Sequence, residues 1–132
     1  MRPTDAHTAA IRAHAEVLDI PGQAVIGTTL DGRIVYWNRG ATKLYGWSAA
    51  EALGRNVLEI TPADLTRDQA GNILRELKEG RTWSGEFRVR SRDSREFSAH
   101  VRDTPVRDAA GELIGIVGVS VRVDEPKRSR TP

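Results

Sequence analysis

Apolar and polar positions change their period twice along the chain. Over residues 5–19, Ile11, His14, Ala15 and Leu18 recur at i, i+3, i+4 and i+7, which predicts a helix ended by Pro21 and Gly22. Residues 23–30 and 33–37 then read as two strands around Asp31-Gly32, a dipeptide that tolerates the positive φ of a tight hairpin turn. In the middle third the period becomes helical. Asn38 is placed to cap a short helix over 39–45 that stops at Gly46. Ser48 and Glu51 have capping-box spacing before another short helix ended at Gly54, and a loop or single turn runs from Asn56 to Pro62. Residues 66–79 give the clearest helix: Ala70, Ile73, Leu74 and Leu77 form its apolar stripe, opposed by Arg67, Asp68, Arg75, Glu76 and Lys78, with Gly80 as its stop.

The last third returns to period two. Trp83, Gly85, Phe87 and Val89 are expected on one face, with Ser84, Glu86, Arg88 and Arg90 toward water. After a turn at 91–94, Phe97, Ala99 and Val101 continue the inner face against Glu96, Ser98, His100 and Arg102. A second turn over 107–112 leads into 113–123, which is apolar on both faces and is therefore expected at the centre of a sheet, beside the first hairpin. Neither the first two strands nor the last three are expected to be stable alone, so all five are assigned to one antiparallel sheet. The class is α+β, with the short helices gathered over one face around a filled core or a small cavity.

Composition narrows the chemistry. The chain has 132 residues and no cysteine, which excludes disulfides, thiolate nucleophiles, cysteine-ligated metals and cysteinyl adducts. Lys and Arg number 20 against 18 Asp and Glu, and three of the cations, Lys127, Arg128 and Arg130, fall in a proline-flanked tail. Residues 125–132 are accordingly expected to be a basic disordered end. No stripe of cations interleaved with aromatics appears, so no nucleic-acid partner is expected. No apolar run approaches a bilayer span, and the first residues lack the apolar core of a secretory signal, which predicts a cytoplasmic domain. No GxSxG elbow and no serine beside a His–carboxylate pair is present, so no catalytic residues are assigned and the chain is not expected to be an enzyme. No metal site is assigned. Gly115 and Gly118, lying in a strand, read as positions of close packing and not as a phosphate cradle.

Asp31-Gly32-Arg33-Ile34-Val35-Tyr36-Trp37-Asn38, Ala41, Tyr45-Gly46-Trp47-Ser48, Glu51 and Gly54-Arg55-Asn56 resemble the PAS domain family. So do Trp83-Ser84-Gly85-Glu86 and Asp108-Ala109-Ala110-Gly111 with Ile114-Gly115. The resemblance runs over about residues 20–124. It implies a sheet in the order 2-1-5-4-3, with residues 1–19 as an N-terminal helical cap or dimerisation segment. It also implies a sensory or interaction module of signal transduction, of the kind found in bacterial regulators. Within the family, light-oxygen-voltage photosensors carry Gly-Arg-Asn-Cys; here Gly54-Arg55-Asn56 is followed by Val57, so the thiol that would form the flavin adduct is missing. Ser120 stands where that subtype has a Gln, and 83–102 lacks its pair of Asn residues. Haem-binding relatives use a His on the long helix, whereas 66–79 has none and His7, His14 and His100 lie elsewhere. Haem and a flavin adduct are therefore disfavoured and no cofactor is obligatory. The terminal Asp-(Ile/Val)-Thr that often couples such domains to a signalling helix is matched by Arg122-Val123-Asp124. With Pro126 close behind, no such helix is expected.

These readings converge on a domain that binds a small, mostly apolar ligand or a signalling partner without catalysis. The alternatives are a ligand-free structural dimerisation module and a flavin-binding PAS domain without cysteinyl photochemistry. The expected pocket lining is Ile26, Thr28, Asn56, Val57, Ile73, Leu74, Leu77, Ala99 and Ser120, with Thr28, Asn56 and Ser120 as its polar members. The stripe Ile11, His14, Ala15 and Leu18 is the expected homodimer interface.

Overall fold

A computed structural model describes residues 3–61 and 66–123. Helix α1 (Pro3–Leu18) leads into β1 (Ala24–Thr29) and β2 (Ile34–Trp37). Four helices follow: α2 (Arg39–Tyr45), α3 (Ala49–Ala52), α4 (Val57–Ile60) and α5 (Arg67–Lys78). Strands β3 (Trp83–Arg90), β4 (Glu96–Arg107) and β5 (Leu113–Arg122) complete one antiparallel sheet in the order β2-β1-β5-β4-β3. The two-sided apolar strand is central, as expected, and the tail over 125–132 lies outside the described residues.

The capping chemistry read from the sequence is in place. The Asn38 Oδ1 accepts from the Ala41 amide at 2.8 Å, and Ser48 and Glu51 exchange the two bonds of a capping box. Thr66 and Gln69 do the same at the start of α5. Gly32 takes φ +90 in the β1–β2 turn, a conformation that glycine reaches without a Cβ clash.

Strand β4 runs farther than the alternation of 97–102 suggests. It continues through Pro105 to Arg107, paired with β5, while its pairing with β3 ends at Asp103 opposite Trp83. Pro105 therefore sits where β4 has a neighbour on one side only, a position that tolerates a missing amide donor.

Helices pack on both faces of the sheet, and the outer side of β3 stays exposed. On the inner face, under α2–α5, Ala24, Ile26, Trp37, Tyr45, Phe97 and Ala99 form a buried core. On the outer face, α1 packs on Val25, Val35, Val106, Ile114 and Val117. Ile11 and Ala15 have no exposed surface, and Leu18 packs against the same cluster. The stripe expected at a dimer interface is thus taken up within the chain: Ile11 and Ala15 have nothing left to offer a partner, and His14 is half-buried. Trp83 and Phe87 occupy the expected face of β3 but are half-buried, their rings stacked at 5.3 Å.

Candidate functional site

Between the inner sheet face and α4–α5 lies a cavity of about 360 Å³. Ile26 and Thr28 of β1, Phe87 and Val89 of β3, Val101 of β4 and Ile116 of β5 form its sheet wall. Ala70, Ile73 and Leu74 of α5 and Val57 and Leu58 of α4 close the other side. Two backbone anchors hold those helices. The Val57 amide donates to the Gly32 carbonyl at 2.8 Å, tying α4 to the hairpin turn. The Arg107 guanidinium donates to the carbonyls of Leu77 and Lys78 at 3.1 and 2.7 Å, satisfying the C-terminal end of α5 from the end of β4.

Seven of the nine expected lining residues meet here: Ile26, Thr28, Asn56, Val57, Ile73, Leu74 and Ser120. Leu77 and Ala99 do not line the cavity. Both are fully buried, Leu77 on the α5 face that packs into the protein and Ala99 within the inner core. Asn56 reaches the cavity with its amide already engaged: Oδ1 accepts from the Leu58 amide at 2.9 Å and Nδ2 donates to the Asp31 carbonyl at 3.2 Å. Leu30, Leu58 and Leu74 keep exposed surface around the cavity.

The most unusual lining residue is Asp103, which is not among the nine expected. Extending β4 by one more inward position carries the alternation Phe97, Ala99, Val101 on to a carboxylate. Asp103 pairs with Gly118 of β5, which in turn pairs with Ile26 of β1. A Cβ on residue 118 would stand 2.9 Å from the Asp103 Oδ1, so the carboxylate occupies the space above the glycine. No described residue hydrogen-bonds or ion-pairs with it, and its burial pushes the pKa up to about 7. Nearby, Tyr45 and Ser120 are both buried and line the same cavity. Burial, with the Asp103 charge adding to it, raises the Tyr45 pKa.

The remaining chemistry is structural. Arg122 places its guanidinium 5.1 Å from the Phe97 ring, so the arginine in the place of the family's terminal aspartate covers one end of the core. Arg92 lies 4.7 Å over Trp47 and holds both oxygens of Glu51 at 2.9 and 2.8 Å. Among the described residues no group of three His, Asp or Glu is gathered for a metal ion, and no helix is long and apolar enough to cross a membrane.

A family model described as PAS fold matches residues 18–120. Phototropin-2 of Oryza sativa subsp. japonica is 29% identical over 98 residues, covering 74% of this chain and 11% of its own length. Two-component system protein A of Emericella nidulans is 34% identical over 100 residues, covering 74% of this chain and 14% of its own. The chain thus spans a small part of these curated relatives. A light-oxygen-voltage domain solved in a study of a flavin analogue superposes with a TM-score of 0.71 at 22% identity, over 89% of each chain. Flavin is the cofactor such neighbours raise, and the polar groups of the lining differ from a set of free side-chain amides. The isoalloxazine edge alternates carbonyl oxygens with an N–H, yet the one described lining amide, Asn56, is bound elsewhere, and the cavity offers hydroxyls and an unpartnered carboxylate instead. Val57 also leaves no thiol for an adduct.

Proposed function

The chain belongs to the PAS family, and from that premise we propose that it is a sensory module whose cavity takes a small, mostly apolar ligand and whose occupancy is passed to a signalling partner without catalysis. The observation that carries this reading is the cavity itself. Its volume is in the range of small-molecule sites, its walls are largely aliphatic, and a few hydroxyls and the unpartnered carboxylate of Asp103 converge on it.

The test is the absorption spectrum of the purified protein together with mass spectrometry of its denatured extract. A recurrent small molecule in the extract, with no visible absorbance, supports the reading. A flavin or haem band overturns it. Self-association belongs to the same proposal, in altered form: the exposed apolar residues at the end of α1 are Val17 and, just beyond it, Ile20, at 83% and 53% exposure. Sedimentation of the chain and of Val17→Glu with Ile20→Glu reads this directly. A dimer that becomes monomeric supports that surface, and an unchanged species rules it out.

A further inference from the structure

We propose that the cavity selects a ligand with an apolar body and a cationic nitrogen group, an amine or amidine, which Asp103 receives at the sheet wall. This inference rests on the ligand-binding reading above and names the ligand's chemical class.

Three independent features of the wall support it. The carboxylate lies on the inner face of β4 and lines the cavity, yet no described residue donates to it or pairs with it. A half-buried carboxylate that no side chain completes keeps its acceptors open to a donor placed in the cavity. The space it occupies is kept clear by the absence of a side chain at Gly118. Its neighbours on the wall extend the polar spot without neutralising it: Tyr45 and Ser120 bring hydroxyls that donate or accept, and no described lining residue brings a positive charge. The rest of the lining, Ile26, Ile73, Val89 and Val101 among it, suits an aromatic or aliphatic body. A ligand carboxylate or phosphate would instead meet Asp103 with like charge.

Burial makes the isolated Asp103 carboxyl hold its proton to about neutrality, and a cationic group placed against it favours the ionised form. The other titratable lining groups are Tyr45, held protonated by its raised pKa, and Asp31, whose carboxylate accepts from the Thr29 hydroxyl at the hairpin turn. Neither supplies a cation.

Benzamidine, benzamide and benzoate, matched in shape and differing in charge, test the inference by amide chemical-shift titration of the full chain at pH 8. The expected result is that benzamidine shifts the resonances of Ile26, Ile73 and Ser120 and binds roughly tenfold or more tightly than benzamide, with benzoate weakest. In Asp103→Asn, which keeps the shape of the side chain, benzamidine should lose that preference while benzamide binds as before. Equal binding of benzamidine and benzamide, or a preference that survives in Asp103→Asn, overturns the assignment of Asp103 and leaves the cavity reading standing. If none of the three perturbs the cavity resonances, the ligand-binding reading fails with it.

Discussion

Ile11 is seated over Gly115: a Cβ on residue 115 would stand 2.4 Å from the Ile11 Cδ1 and 2.7 Å from the Thr28 carbonyl oxygen. Gly27, on the neighbouring strand, makes the other half of the seat, with its Cβ position 2.9 Å from the Ile11 Cγ2. Two strand glycines thus form a socket on the outer sheet face, and α1 enters it with one fully buried isoleucine. Gly115→Ala should destabilise the chain by about 1–3 kcal/mol through overpacking, and Ile11→Ala by about 2–5 kcal/mol. The two together should fall short of the sum, because the smaller residue makes room for the added methyl. Urea denaturation of the three variants measures this, and strict additivity would show that the socket is not what the glycine provides.

Stability should depend on pH through Asp103. Its pKa rises from an ordinary 3.8 to about 7 on folding, so the folded chain holds a proton that the unfolded chain has released between those values. Stability is then fully present below about pH 4 and falls as pH rises through 7, by an amount on the order of 2–4 kcal/mol. Asp103→Asn removes the titrating group and should flatten that slope. Denaturation midpoints taken from pH 5 to 8 give the comparison; parallel curves for the two proteins would place the carboxyl in contact with water.

Arg107 should hold the cavity's helical wall in place. Its guanidinium meets the last carbonyls of α5 from the end of β4, and Arg107→Ala leaves those acceptors to water at a cost of about 1 kcal/mol. The clearer effect is local: amide exchange in α5 should speed up well beyond the loss of global stability. Exchange that accelerates equally in α5 and β5 would mean that the contact matters only for the whole fold.

Illumination should form no flavin–thiol adduct, since no cysteine is available at any position. A sharper version adds the thiol. Val57→Cys mixed with flavin mononucleotide should show no reversible bleaching under blue light, because the lining lacks free amides for the ring. Reversible bleaching of that mixture would prove the cavity competent for flavin.

Most of the architecture was legible because local signals agreed with one another. Asp31-Gly32, the Asn38 cap and the Ser48–Glu51 box each specified a turn or helix start that no tertiary contact had to override. The site was less legible. Leu77 belongs to the same stripe as Ile73 and Leu74, yet a helix covering a cavity sends one of its turns into solid packing, and sequence spacing does not distinguish the two. Asp103 escaped because the apolar alternation of Phe97, Ala99 and Val101 stops there, and a carboxylate at the next inward position breaks the pattern by which an inner face is read. Ile11 and Ala15 posed a different difficulty. An amphipathic stripe announces burial without naming its partner, and one of the two glycines that receive it, Gly115, lies about 100 residues away along the chain.

Asn38 uses every polar position of its amide. Oδ1 accepts from Ala41 and from Val25, both at 2.8 Å, while Nδ2 donates to the Asp19 carboxylate at 2.7 Å and the Gln23 carbonyl at 3.0 Å. Those partners belong to α2 on one side of the sheet, to β1 within it, and to the segment that leaves α1 on the other. One side chain is therefore a rivet through the sheet, joining a layer that borders the cavity to a layer that never touches it. A shift of α2 cannot be absorbed locally, since moving it means breaking the rivet or carrying the root of α1 along. The two layers thus share one set of hydrogen bonds across the sheet.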